Sequence, residues 1–308
     1  MDAIEAAVLR TVLYADVFKF PLTSREIHHF LINDEPVTYA DIEKTLNTSS
    51  ILKQHLRQAH GYYVRAGHED TIEVRRAREQ ASEQLIPLAL RYAAWLSHLP
   101  FVRMVALTGA LSMRNAVEND DLDYLLVTVP GRVWLARAAA IVMVRLVRLR
   151  GTEICPNYVL DENALAQSRQ DVFIAHEITQ MVPLFGHDLY QQMRAANGWV
   201  DYHLPNASAT FYEARAQTLN PVWKWLKASV EFVLGGALGD AFERWEYQRK
   251  LRRFAPKMRQ PDSAAQIDAS HVKGHFEDHG TRAIREYRER LRLYGLDEEG
   301  VFKLQAGD

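Results

Sequence analysis

A glycine turn and a pair of aspartates, each joined to an apolar run, constrain the fold of this chain more than any other feature. The first run ends in Leu107-Thr108-Gly109-Ala110-Leu111-Ser112. The second begins in Asn119-Asp120-Asp121-Leu122-Asp123-Tyr124-Leu125-Leu126-Val127, with Asp121 twelve residues after Gly109. Side chains two apart on a strand point to the same face. Asp121 and Asp123 should therefore project side by side from the start of a strand that continues through Val127. Two carboxylates on one face repel unless something positive lies between them. A hard divalent cation with oxygen ligands, often magnesium shared with substrate phosphates, answers that need. The competing reading is an ordinary aspartate-rich turn, in which the side chains accept nearby backbone amides.

This arrangement resembles the signature of the nucleotidyltransferase superfamily, the group named for DNA polymerase beta. Its pattern is a strand, a Gly-Ser or Gly-Gly turn, a short helix, and Asp-x-Asp or Asp-x-Glu on the next strand. Here Val105 to Leu107 match the first strand, Gly109 the glycine, residues 112–116 the short helix, and Asp121 and Asp123 the metal ligands. The match is close over about 30 residues and looser over about 100. The resemblance implies transfer of a nucleoside monophosphate from a triphosphate such as ATP to an acceptor hydroxyl, with release of pyrophosphate. Asp121 and Asp123 would be catalytic and would hold one or two Mg2+ ions. Gly109, Ala110, Ser112 and Arg114 would bind the nucleotide, Gly109 by letting the backbone approach it. Ala110 stands where the family usually has serine, so Ser112 is the candidate hydroxyl, and Arg114 offers a fork of donors for phosphate. The family also uses a third acid on a later strand. Residues 153–160 read as that strand, with Asn157 at its centre, Glu153 before it and Asp161 after it. The third metal ligand, if there is one, would be Glu153 or Asn157, and Asn157 would offer only an uncharged carbonyl oxygen. The alternative is a nucleotidyltransferase-like domain that has lost catalysis and binds a partner or a nucleic acid. The acceptor is open between a small molecule, RNA and a protein hydroxyl.

Composition narrows the setting. The chain has 308 residues, enough for two domains or for one with extensions. A formal net charge of −2 gives no overall field toward nucleic acid or membrane. The single cysteine, Cys155, excludes an intrachain disulfide and favours a reducing compartment. It lies in an apolar segment and reads as packed rather than reactive. The N-terminus lacks a basic region followed by an apolar core, and the most apolar run, 138–144, is too short to span a bilayer. A cytoplasmic protein with no membrane partner is expected.

The expected fold is α+β: a small mixed nucleotidyltransferase-like sheet flanked by helices over 81–205, a winged-helix-like module over 1–80, and a mostly helical region over 206–308. In the first segment, apolar residues from Ile4 to Leu13 recur at helical spacing, and Thr23-Ser24-Arg25-Glu26 reads as a capping box for a helix over 24–31. Thr38 starts another helix, 51–59 a further one, and 61–67 with 71–75 read as a hairpin. Helices followed by a hairpin resemble a winged helix-turn-helix. Lys44, Lys53 and Arg57 are diluted by Asp41 and Glu43, so sequence-specific DNA binding is not expected and a contact role is.

Farther on, a long helix runs to Leu99, and residues 133–150 form a helix apolar enough to be buried against the sheet. His176, Glu177 and Gln180 form a polar trio that either lines a pocket or bridges helices. Residues 211–257 read as helical, broken at Gly235-Gly236, with Trp223, Trp225 and Trp245 as apolar anchors. A basic run from Arg244 through Arg249, Lys250, Arg252, Arg253 and Lys257 to Arg259 either grips a polyanion or is a solvated face. His271, His275, Asp278 and His279 are close in sequence, but a strand entering a loop there spoils metal geometry. The last helix, 281–293, carries Arg and Glu at pairing distances.

Overall fold

The N-terminal part contains α1 (Ala3–Val17), β1 (Leu22–Thr23), α2 (Ser24–His29), α3 (Tyr39–Thr48), α4 (Ser50–His55), β2 (Leu56–Ala59) and β3 (Tyr62–Arg65). These and all later elements come from a computed structural model that describes residues 1–149, 151–214, 217–258, 267–273 and 279–296. The capping box at Thr23 is complete. Glu26 N donates to Thr23 Oγ1 at 3.2 Å and Thr23 N donates to Glu26 Oε2 at 2.8 Å. Thr38 caps α3 by accepting from Asp41 N. Two expectations fail here. Residues 51–59 are not one helix, because α4 stops at His55 and β2 follows. The hairpin pairs β2 with β3, Ala59 opposite Tyr62 and Leu56 opposite Arg65, and residues 71–75 open a helix instead. The turn explains both. His60 and Gly61 have φ of 53° and 83°, the left-handed pair that a two-residue hairpin needs to match strand twist.

α5 (Thr71–Ser97) passes residue 80 without interruption, so the expected boundary there falls inside a helix. After it come β4 (Val102–Leu107), α6 (Gly109–Ser112), β5 (Leu122–Thr128), α7 (Val133–Arg148), β6 (Ile154–Asp161), α8 (Val172–Gln180), β7 (Val182–Phe185) and α9 (His187–Ala196). The last part supplies α10 (Pro221–Leu234), α11 (Ala237–Met258), β8 (His271–Lys273) and α12 (His279–Leu293). Residues 211–214 and 217–220 are not helical. Asn220 caps α10 by accepting from Trp223 N at 2.9 Å, and Pro221 takes the first helical position, where a missing N–H is harmless.

The larger sheet has the order β7-β4-β5-β6-β8. β5 and β6 are parallel and joined through α7, and every other neighbour is antiparallel. Along β5 the side chains alternate. Leu122, Tyr124 and Leu126 enter a core with Tyr92 and Leu96 of α5 and Trp134 of α7. Leu125 and Val127 enter a second core with Leu9 and Leu13 of α1 and Ile178 of α8. Each buried leucine there contributes about 1.5–3 kcal/mol relative to exposure. Asp123 lies on that second face by the same alternation. The second core extends from Ala7 to Leu296, and β8 adds Lys273 to the sheet opposite Tyr158. All three expected segments thus contribute to the second core, the last two share the five-stranded sheet, and the first keeps a three-stranded sheet of its own, β1-β3-β2.

The outer helices depart from expectation. α7 leaves Val142 and Leu146 exposed, as is Leu149 just after it, and Trp223, Trp225 and Trp245 are 43%, 71% and 59% exposed rather than buried anchors. Among the described residues, no helix is long and apolar enough to cross a membrane.

Candidate metal centre

The β4–α6 turn and the start of β5 bring the glycine and the aspartates together. Gly109 opens α6 at φ +65°, and a Cβ there would sit 2.4 Å from Asp123 Oδ2. Only a residue without a side chain lets the backbone lie this close to the carboxylate. Thr108 N donates to the Asp123 carbonyl at 3.0 Å and fastens the turn to the strand. Leu122 and Tyr124, fully buried on the far face, hold the strand in place. Asp121 is exposed and Asp123 half-buried. One carboxylate oxygen of each and the sulfur of Cys155 all lie within 4.8 Å of one another.

Electrostatics at this point are unfavourable to the bare carboxylates. Burial pushes the Asp123 carboxyl up to about 7, and the charges of Asp121, Glu177 and Asp120 push the same way. Among the described residues, Asp123 Oδ1 is buried without a hydrogen-bond partner. Cys155 is pushed up to about 12, by burial first and then by Asp123 and Asp121. It is a neutral thiol near pH 7. A cation between the carboxylates would relieve both conditions.

Cys155 occupies the place that sequence reasoning gave to Asn157. The parallel register sets Cys155 opposite Asp123 and Pro156 opposite Tyr124, then skips Asn157 at a bulge and resumes with Tyr158 opposite Leu125. Asn157 therefore lies two positions beyond the register of Asp123, about 6–7 Å along the strand. Its Oδ1 is buried and without a partner among the described residues. Glu177, which sequence spacing does not connect with the aspartates, also bears on this point. It sits on α8, half-buried, and acts on Asp123 as a like charge. Burial holds its carboxyl above the ordinary range, against the opposing pull of Lys273 and His279.

A cavity of about 340 Å³ opens beside Gly109. Gly109, Ala110, Glu177 and Gln180 line its polar side, and Tyr14, Phe18, Phe20, Phe30 and Phe173 its aromatic side. The N-terminal part thus supplies much of its wall. His176, the third member of the polar trio, also lines it. Its ring stacks on Tyr14 at 4.0 Å, and burial lowers its titration to about 3, so it is neutral. Ser112 and Arg114 do not face this cavity. Ser112 is 2% exposed and its Oγ donates to the Gly109 carbonyl at 2.8 Å. Arg114 stands over the Tyr212 ring at 5.2 Å, and both residues line a separate small void near Leu111 and Ala89. Of the histidine group, His271 lies on β8 and His279 opens α12, while His275 and Asp278 lie outside the described residues. Lys257 and Arg259 of the basic run are likewise outside the described side chains.

Comparison with family models, curated proteins and solved structures finds no match to this chain.

Proposed function

We propose that this chain is a metal-dependent nucleotidyltransferase with a nucleotidyltransferase-like sheet and a winged-helix-like N-terminal module. One observation carries the reading: the carboxylates of Asp121 and Asp123 converge, the second of them against Gly109, and Gly109 also lines the cavity although neither aspartate does. The donor set fits a hard cation. Mg2+ is held by one or two carboxylates together with waters and substrate phosphates, and Asp121 and Asp123 supply that number. A neutral thiol is a poor magnesium ligand, so Cys155 closes the site rather than completing a second set of ligands. A bound Mg2+ would neutralise the triphosphate charge and favour departure of pyrophosphate.

The chain's own residues do the rest. Gly109 lets the backbone lie against the Asp123 carboxylate while it lines the cavity in which the triphosphate would sit. The acceptor hydroxyl oxygen bonds to the α-phosphorus, the bond from that phosphorus to pyrophosphate breaks, and the hydroxyl proton leaves to a base. Glu177, on the cavity wall with its carboxyl above the ordinary range, is suited to accept that proton. The aromatic side of the cavity suits a nucleobase or an apolar acceptor. The N-terminal module serves as wall and contact surface, not as a DNA reader. Lys53 and Arg57 already donate to the carbonyls of Asn47 and Lys53.

A second reading draws on Cys155. A thiol where the family has its third acid suits a domain that binds nucleotide and metal without turnover. One assay separates the two. Incubated with each α-labelled nucleoside triphosphate and Mg2+, the wild type is expected to transfer label to an acceptor or to itself, and Asp121→Ala to lose at least about a thousandfold of that rate. Inertness with all four triphosphates, alongside retained metal binding, favours the second reading.

A further inference from the structure

The outer helices α10 and α11 bury charged side chains beside Leu234, Tyr247, Leu251 and Phe254 and leave a set of large apolar side chains exposed. α10 turns its charges inward. Lys227 Nζ donates to the carbonyls of Ser97 at 2.8 Å and Val102 at 2.6 Å, and Arg103 donates to Glu231 through two bonds of 2.7 Å. α11 does the same with Glu243, whose carboxylate accepts from Trp134 N at 2.8 Å and Leu135 N at 2.7 Å. The outward stripes are apolar. Trp225, Phe232 and Val233 on α10, and Leu238, Phe242 and Trp245 on α11, recur at helical spacing and are exposed, Phe232 by 88%. A helix facing plain solvent carries the reverse pattern. α10 packs against α11 across the Gly235-Gly236 bend. Such a patch marks a surface that something covers.

Charge identifies what covers it. The outward side also carries Lys224, Arg244, Arg249, Arg252 and Arg253, all exposed. The four acids of the two helices are engaged: Glu231 by Arg103, Asp240 by Arg132, Glu243 by the backbone of α7, and Glu246 by Arg249 and Lys250. A second copy would bring these same cations toward themselves with no spare acid on these helices to meet them. An anionic bilayer meets both halves of the surface. Tryptophan favours the lipid–water boundary, and three of the chain's six lie here. The net charge of −2 conceals the patch, because acids elsewhere offset it.

We propose that the outer face of the α10–α11 hairpin docks on an anionic lipid surface, with Trp225, Phe232 and Trp245 in the headgroup layer and Arg244, Arg252 and Arg253 on lipid phosphates. This is attachment to a surface and not a span. The test is sedimentation of the full chain with phosphatidylcholine vesicles, with and without phosphatidylglycerol. Binding is expected to be at least about tenfold stronger with phosphatidylglycerol, to weaken with salt, and to shift tryptophan emission to the blue. Trp225→Ser with Phe232→Ser should lower vesicle binding at least about tenfold. Arg252→Glu with Arg253→Glu should remove the anionic preference. Both double variants should melt with the wild type, since the replaced side chains are exposed. Absence of wild-type binding to phosphatidylglycerol vesicles overturns the proposal. So does a wild-type dimer that ignores vesicles and is dissolved by the Trp225→Ser, Phe232→Ser change. Binding to single-stranded RNA but not to vesicles overturns it as well.

Discussion

Asp123→Asn melts several degrees above the wild type at pH 8 without divalent cations, and loses the stabilisation those cations give. The Asp123 carboxyl titrates at about 7 in the folded protein against an ordinary 3.8, through burial first and the charges of Asp121, Glu177 and Asp120 after it. A group raised on folding favours the folded state below its unfolded pKa. That contribution disappears as pH rises through the folded value. Between pH 3.8 and about 7 the wild type should therefore lose stability as the carboxylate forms, and at pH 8 it bears the full cost. At about 1.4 kcal/mol per pH unit the gap amounts to about 4 kcal/mol. Partial exposure of the group reduces this to about 1–3 kcal/mol. Asparagine carries no charge and escapes the cost, which corresponds to a gain of about 2–4 °C per kcal/mol. In the wild type a bound cation offsets the same cost, by about 2.7 kcal/mol at a hundred times its dissociation constant. Melting curves at pH 5 and pH 8, with and without Mn2+, check all of this. An Asp123→Asn protein that melts lower than the wild type at pH 8 contradicts the account.

Arg75→Ala has the largest expected effect on stability, about 3–5 kcal/mol. Arg75 and Glu26 are each 1% exposed and meet at 2.8 Å. Arg75 also donates to Glu79 at 2.7 Å and to the Pro21 carbonyl at 3.3 Å, and its guanidinium lies 3.7 Å from the centre of the Phe20 ring. Glu26 in turn accepts from Tyr212 at 3.2 Å. One buried ion pair thus ties the first turn of α5 to α2 and to the segment before α10. Removal of the arginine leaves a buried carboxylate without its partner. Arg75→Met with Glu26→Gln, which removes both charges, should recover more than half of the loss. Urea denaturation measures each variant. A cost below about 1 kcal/mol for Arg75→Ala contradicts this account of how the N-terminal part is held.

Much of this was legible from local rules. The Thr23–Glu26 box, the long α5, and the convergence of the Asp121 and Asp123 carboxylates follow from capping chemistry and from periods of 3.6 and 2. What escaped depended on tertiary context. β7 is a four-residue edge strand that contains Pro183, a residue that reads against a strand unless the strand lies at an edge. The bulge in β6 that sets Cys155 and not Asn157 opposite Asp123 leaves no trace in the alternation of residues 153–160. Glu177 reaches the site from a helix more than fifty residues beyond the aspartates, a distance in sequence that no spacing rule covers. Ser112 lay near enough in sequence to suggest a phosphate contact, yet one hydrogen bond to Gly109 commits its hydroxyl to the turn. The tryptophans of α10 and α11 read as core from sequence because apolar helix stripes usually are. Here the inward side carries Lys227 and Glu243 beside Tyr247 and Leu251, and the tryptophans face out.

The central claim is that Asp121 and Asp123 hold a divalent cation for a triphosphate. A Mn2+ titration followed by electron paramagnetic resonance, with and without a non-hydrolysable nucleoside triphosphate, tests it most directly. The account predicts saturable Mn2+ binding that the triphosphate tightens. It also predicts loss of that binding in Asp121→Ala, Asp123→Asn and Gly109→Ala, the last because its Cβ would displace the Asp123 carboxylate. Mn2+ binding unchanged by all three substitutions, or none at millimolar metal, contradicts it.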